Sequence, residues 1–372
     1  MKLQDFLGKN LKFSMEKIST DKELTTQIQS RLIALQLLDP PADGKFGPIS
    51  AATLNNFQNL MKCNEPNFLG PKTAEALIET TVDELPVPEL KLGSDLASRI
   101  IKYMRDKKYF ISQGVKRYNI IYIEGMNVDG SLNSDAPNYF NDRRIVIQIL
   151  DGVPAIIGNW EGTTQPGYYY TDNAMNPQGA ASIKFGQYKA WTVGIHYGGG
   201  SEPHEALVQD APITVFRDLN RDMQRPGDKE FTGLFDINQH WGYDLPQDNI
   251  SFGSAGCLVG RLREGHREFM ALIKQDRRYQ LNKGYLYYST VIPGDDMIKS
   301  TTGTLQLLRQ GSSGPIVRQL QQRLKDRGFN PGNVDGVFGL GTQEAVRAFQ
   351  KMNKLTADGV VGPQTWKALG MT

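Results

Sequence analysis

The two ends of this 372-residue chain repeat each other, and that internal symmetry constrains the fold more than any other feature. Near the C-terminus stands IVRQLQQRLKDRGFNPGNVDGVFGLGTQEAVRAFQKMNKLTADGVVGPQTWKALG. Near the N-terminus stand IQSRLIALQLLDPPADGKFGPISAATLNNFQNLMKC and then NFLGPKTAEALIE. The shared frame is a helix, a D-G-x-F-G turn, a second helix ending in Phe-Gln, and G-P-x-T opening a third helix. The landmarks are Asp335 to Gly339, Phe349-Gln350 and Gly362 to Thr365 in one copy. In the other they are Asp43 to Gly47, Phe57-Gln58 and Gly70 to Thr73.

The frame has a physical logic. Val317, Leu320 and Leu324 recur at three and four residues, which is one face of a helix. Asp335-Gly336 supplies a tight turn, with the glycine free to take positive φ. Thr342 is expected to cap the second helix, with Glu344 just behind it, and Thr365 the third. Each copy reads as a small three-helix unit. The pattern resembles the peptidoglycan-binding domain type 1 family, over about 304–370 and more loosely over about 24–80. In the N-terminal copy Phe68-Leu69 replaces Gly359-Val360-Val361, so its second D-G is missing. The resemblance implies cell-wall binding for the unit without locating the groove; of the motif residues, exposed ones near the loops, Asp335, Trp366 and the neighbourhood of Arg327, are those expected to touch sugar or peptide. Most other motif residues build turns and core.

Charge narrows the partners. The net charge is +2, without the basic excess of a general nucleic-acid binder. Residues 1–90 carry 9 Lys/Arg and 12 Asp/Glu, whereas 301–372 carry 9 and 4. A basic C-terminal unit suits an anionic polymer such as a bacterial wall, and ordinary surface variation explains it equally well. The two cysteines, Cys63 and Cys257, cannot build a disulfide framework. No apolar run is long enough to span a membrane. The opening MKLQDFLGKNLKFSMEK is interrupted by charges and lacks the apolar core of a secretory signal. Synthesis in the cytoplasm is therefore expected, with release or delivery to the wall by another route.

Between the repeats the pattern changes. A helix is predicted around Leu96 to Met104, capped by Ser94-Asp95. Strands are predicted at 119–123, 144–150, 154–158, 188–195, 213–216 and 286–291, and a late helix over about 265–274. Within this mainly β region, GLFDINQHWG ends at Gly242 and is followed by SAGCLV from Ser254. A cysteine nucleophile needs a thiolate, a base and backbone N–H groups that can hold an oxyanion. His240, 17 positions before Cys257, is the natural base. Gly256 would let the backbone approach a substrate, and the Cys257 N–H would contribute to the oxyanion hole. By itself a lone cysteine is more often a small buried hydrophobe.

The spacing from His240 to S-x-G-C resembles the signature of the L,D-transpeptidases (the YkuD fold), and Met175-Asn-Pro-Gln-Gly179 resembles a segment found before that family's catalytic half. The resemblance spans roughly 115–295. It implies that Cys257 forms an acyl-enzyme and that His240 activates it and later protonates the leaving amine. It also implies that the group after the histidine, at Trp241, orients the ring, and that Ser254 shapes the loop. Ala255 stands where the family has His, and Val259 where it has Arg or Asn, with Arg261 as the nearest substitute. These departures bear on substrate choice.

Other chemistry competes. His196 and His204, with Glu202, Glu205 and Asp210, contain zinc-ligand types but no H-x-x-x-H or H-E-x-x-H spacing. Glu161 would serve a glycosidase only with a second carboxylate at a set distance. Residues 218–230 are rich in Asp and Asn but lack calcium-loop spacing, so a solvated turn is expected. His266, in REGHREF, is expected at the surface.

The expected architecture is multidomain α+β. A mainly β, L,D-transpeptidase-like catalytic domain (90–300) is flanked by two small three-helix peptidoglycan-binding domains (1–85 and 303–372). The expected activity is attack by Cys257 on stem-peptide bonds through a thioester, without cofactor or metal. Hydrolysis is favoured, as in a phage endolysin or delivered effector. A cross-linking transpeptidase, a zinc peptidase and a non-enzymatic wall-binding protein are the alternatives. Bacterial peptidoglycan is the expected partner. The sequence gives no oligomeric state.

Overall fold

The structure, a computed structural model, describes residues 1–197, 202–302 and 307–370. The expected start of the C-terminal unit at 303 lies outside the described residues.

An N-terminal helical unit gathers a core running from Leu3 to Leu85. It contains β1 (Phe13–Ser14), α1 (Met15–Ser19), α2 (Lys22–Ala34), α3 (Pro48–Leu60), β2 (Phe68–Leu69) and α4 (Pro71–Glu79). The two short strands pair, Phe13 opposite Leu69. The first 21 residues thus wrap the repeat frame, and Leu3, Phe6, Phe13 and Ile18 complete its core.

The central region opens with α5 (Leu96–Asp106), whose N-cap Asp95 accepts from the Ser98 amide at 3.0 Å. Strands follow as β3 (Tyr118–Glu124), β4 (Asp142–Leu150) and β5 (Val153–Thr163), with α6 (Tyr168–Asp172) after them. Next come β6 (Ala180–Ile183), β7 (Gly186–His196), β8 (His204–Gln209), β9 (Ile213–Asp218) and β10 (Lys229–Gly233). The region ends with β11 (Gln239–Trp241), β12 (Leu258–Gly260), α7 (Arg263–Ile273), α8 (Arg277–Leu281), β13 (Tyr287–Pro293) and α9 (Gly294–Thr302). Eight strands close into a barrel in the order β11-β12-β5-β4-β3-β13-β7-β8, sealed by Gln239 opposite Leu207. A second sheet, β10-β9-β6, lies beside it.

Strand alternation divides the barrel wall. Ile120, Tyr122 and Val146 join the inner core with Trp191 and Leu258. Ile121, Ile123, Ile145 and Ile147 face outward, under a layer containing Ile100, Ile101 and Met104 of α5 and Met297 of α9. Both faces of β3 are therefore buried, which explains why YNIIYIE reads as an unbroken apolar run rather than an alternation.

The C-terminal unit contains α10 (Pro315–Asp326), α11 (Leu340–Met352) and α12 (Pro363–Leu369) around Leu320, Phe338, Phe349 and Trp366. Thr342 and Thr365 do not cap these helices. Gly339 and Gly362 hold the N-cap positions, and the threonines lie inside the first turn. Each instead serves a buried glutamine. Gln321 Nε2 donates to Asp335 Oδ1, Val337 O and Thr342 Oγ1, while its Oε1 accepts from Gly336 N. Gln350 repeats this with Asp358, Val360, Thr365 and Gly359, and Gln29 with Asp43, Lys45, Ser50 and Gly44. At the fourth position Gln58 reaches Phe68 O and Thr73 Oγ1, but among the described residues its Oε1 has no partner. The missing second D-G is the missing donor.

Candidate active site

β11 and β12 run parallel, with Gln239 opposite Leu258 and His240 opposite Val259. Leu258 belongs to the barrel interior, and Gln239 bonds Ser289 Oγ there at 2.7 Å. Alternation therefore puts His240 and Val259 on the outer face. Cys257, just ahead of β12, shares an outer apolar cluster with Val259, Phe140 and Ile250. The two sequence-predicted residues thus occupy the same face of neighbouring strands.

The ring of His240 is oriented by its backbone neighbour. Nδ1 lies 2.7 Å from Trp241 O, and a carbonyl only accepts, so Nδ1 carries the hydrogen and Nε2 the lone pair. His240 is buried; burial first, then neighbouring His196, holds it well below the ordinary imidazole range. Burial likewise pushes the Cys257 thiol up to about 11. Thiol and imidazole are both neutral at rest. Among the described residues, the thiol's hydrogen-bond partners are Asp236 O at 3.5 Å and the Asn238 N–H at 3.4 Å.

The loop before Cys257 is tightly built. Ser254 Oγ donates to Cys257 O at 3.0 Å and accepts from Gly256 N at 3.1 Å. The Gly256 amide is therefore occupied and does not serve an oxyanion hole. Gly256 has φ +121, and a Cβ there would sit 2.3 Å from Ala181 O. Close packing against β6, rather than approach of a substrate, requires this glycine.

Sequence reasoning missed Arg144 and Asn238, and met His196 only as a zinc-ligand candidate; all three organise the site. Arg144 is fully buried: its Nη2 donates to His240 O at 3.0 Å and Leu258 O at 3.2 Å, and its Nε to Tyr122 Oη at 2.6 Å. It ties β11 to β12 behind the candidate pair. Asn238 links Cys257 to His196. His196 stacks on His240, with ring centroids 4.0 Å apart and planes 7° from parallel. The N-x-H spacing of Asn238 and His240 was visible in the sequence; the stack, formed across 44 positions, carries no local signal.

His266 departs from its expected surface position. It is 1% exposed, 3.0 Å from Arg144 Nη1 and 2.9 Å from Glu205 O. It begins the i, i+3, i+4, i+7 stripe completed by Phe269, Met270 and Ile273, so its buried face was readable. All four histidines of the chain meet in this cluster, where His204 also stacks on Trp241 at 3.7 Å.

Three of the competing carboxylates are engaged elsewhere. Glu161 Oε2 pairs with Arg261 Nε at 2.6 Å, which also occupies the arginine proposed to meet substrate. Glu202 pairs with Arg263 and Glu205 with Lys274. Among the described residues no group of three His, Cys, Asp or Glu is arranged to hold a metal ion. In 218–230, Asp218 accepts from the Asp222 and Met223 amides, as a turn does. In the C-terminal unit, Trp366 is 3% exposed and packs in the core, so it offers no surface to a sugar. Asp335 is exposed, but its Oδ1 is held by Gln321 and Val337 N.

Comparison with known proteins locates one similarity firmly. Residues 313–369 match the family described as "Putative peptidoglycan binding domain". The chain is 48% identical over 64 residues to a spore cortex-lytic enzyme of Bacillus cereus, covering 17% of this chain and 25% of that protein. It is 48% identical over 56 residues to N-acetylmuramoyl-L-alanine amidase CwlM of Mycobacterium tuberculosis, covering 15% and 14%. The chain thus spans a quarter or less of the length of these cell-wall enzymes. A solved L,D-transpeptidase (residues 123–326) from Xylanimonas cellulosilytica overlaps 72% of this chain and 92% of its own, at 14% identity. Its TM-score of 0.21 is too low to carry an argument about the barrel.

Proposed function

We propose that the chain is a peptidoglycan-targeted cysteine enzyme acting on stem-peptide bonds, with 1–85 and 303–372 as wall-binding units around a catalytic region at 90–300. The observation that carries this reading is the setting of His240: a base whose Nε2 has no hydrogen-bond partner among the described residues, on the same barrel face as the buried thiol of Cys257. The C-terminal family match supplies the polymer.

In the proposed reaction His240 Nε2 takes the Cys257 proton as Sγ attacks a peptide carbonyl carbon. The tetrahedral oxyanion collapses to a thioester, the C–N bond breaks, and the leaving amine takes the proton from His240. Water then attacks the thioester, His240 accepting a proton from it and returning one to Sγ, to give a carboxylic acid and the free thiol. An amine in place of water gives a cross-link. We favour hydrolysis because the matched curated proteins are a lytic enzyme and an amidase. A wall-binding unit raises the effective concentration of the catalyst on an insoluble polymer, and a second unit raises it further.

The test is release of soluble fragments from purified peptidoglycan. Cys257→Ala and His240→Ala should each abolish release while pull-down by the polymer is unchanged, and EDTA should have no effect. Undiminished release by Cys257→Ala would overturn the cysteine mechanism. Loss on chelation would point to a metal peptidase. Absence of release by every form, with binding retained, would leave a wall-binding protein.

A further inference from the structure

The stack of His196 on His240 gives a neutral imidazole a place in the reaction, an inference that rests on the Cys257–His240 reading above. Its protonation state follows from a chain of hydrogen bonds. Gln209 N–H donates to Asn238 Oδ1 at 2.8 Å, which fixes that amide's orientation. Asn238 Nδ2 is then a donor, and it lies 3.0 Å from His196 Nδ1. His196 Nδ1 must therefore carry a lone pair, and the ring's hydrogen is on Nε2. The same Asn238 gives its backbone N–H to Cys257 Sγ, and its carbonyl accepts from Leu258 N at 2.9 Å. One residue thus touches the thiol, the strand that follows it and the ring stacked on the base.

We propose that His196, kept neutral by Asn238, is a positioning residue for His240: it supplies the flat uncharged face against which the imidazolium forms when His240 takes the thiol proton. A cation is stabilised over the π face of an aromatic ring. Two imidazolium rings 4.0 Å apart would repel strongly, so protonation of His196 shuts off proton acceptance by His240.

The surroundings are consistent with one mobile charge. The titratable groups around the stack are His204 on β8, His266 on α7, Tyr243 after β11 and Cys257. Burial biases each toward its neutral form. Among the described residues the charged groups nearest the stack and the thiol are Arg263, neutralised by Glu202 and Asp244 at 2.7 and 2.6 Å, Arg144, which donates to His240 O, and Asp236, whose carboxylate acts on Cys257. Lys274 and Glu205 pair with each other at 2.7 Å.

The test uses the full chain, with kcat/KM on purified peptidoglycan followed from pH 5 to 9 and the four histidine ring signals followed by NMR. Asn238→Asp puts a carboxylate against His196 Nδ1. It should raise the His196 pKa and move the acid limb of the activity profile up by one pH unit or more. His196→Phe keeps a flat face that cannot be protonated. It should retain activity within about tenfold, leave KM within twofold, and cancel the acid-limb shift when combined with Asn238→Asp, whereas His196→Ala should cost kcat more than His196→Phe. An unmoved acid limb in Asn238→Asp, or a shift that survives in the double variant, would overturn the proposal. NMR decides the Asn238–His196 bond without reference to activity. Failure of the underlying reading shows separately, as Cys257→Ala matching the unaltered protein.

Discussion

Arg278 and Asp39, 239 residues apart, meet across the seam between the N-terminal helical unit and the barrel, with Nη1 3.0 Å from Oδ2. Asp39 also receives Arg117 at 3.1 Å and Tyr285 Oη at 2.6 Å, and the neighbouring Pro40 O accepts from Tyr288 and Lys189. Burial alone would raise the Asp39 carboxyl; Arg278 and Arg117 overcome it and hold the group at about 2. The sign of its pH dependence follows. The folded pKa lies below the ordinary 3.8, so the stabilisation is present above pH 3.8 and is lost as pH falls toward 2. Asp39→Ala should destabilise the chain by about 3 kcal/mol at neutral pH, because it takes a shared carboxylate from the buried Arg278 and the half-buried Arg117. Urea unfolding at pH 7 and pH 2.5 checks both statements, and the variant should lose less stability on acidification than the unaltered chain.

The glutamine hubs predict unequal costs for one substitution. Gln350→Met strips partners from Asp358, Val360 O and Gly359 N, and should cost about 3 kcal/mol. Gln58→Met removes a side chain already lacking one partner and should cost about half as much. Thermal unfolding of the two variants compares them directly.

Gly256→Ala should distort the loop that presents Cys257, since φ is +121 and the new methyl would meet a backbone carbonyl that cannot yield cheaply. A loss of about 2–3 kcal/mol is expected from that strain. The fall in melting temperature should be accompanied by faster alkylation of Cys257 in the native state, as the loop opens.

Resting thiol reactivity has a predicted pH dependence. With the Cys257 thiol pushed up to about 11, iodoacetamide should label it slowly at pH 7–8, with the rate still rising above pH 9. Cys63, also buried and raised, requires a Cys63→Ser background for a clean readout. The sequence left open an activated nucleophile or a small buried hydrophobe. Cys257 is buried among Val259, Phe140 and Ile250, so under the proposed mechanism its deprotonation belongs to the reaction step.

What the sequence revealed divides along physical lines. The terminal repeats were legible because turns and helix faces are set by residues close together, as in Asp335-Gly336 and Val317-Leu320-Leu324. The long strands were legible from their apolar runs. The three-residue strands β11 and β12 were not, being too short for any period to show, yet they place His240 and Cys257. Thr342 and Thr365 looked like caps because position alone cannot reveal that a glutamine one helix earlier claims their hydroxyls. Trp366 looked available because its packing depends on helices brought together only by the fold. Arg144 and His196 meet His240 across 96 and 44 positions, so no window of sequence contains these contacts.

The most direct measurement is mass spectrometry of purified peptidoglycan incubated with the unaltered protein and with Cys257→Ala. The account predicts new muropeptides with the unaltered protein alone, each heavier by one water across a cleaved peptide bond. New cross-links in their place would keep the cysteine and change the acceptor from water to amine. Identical profiles for the two proteins would contradict the claim that Cys257 is the nucleophile.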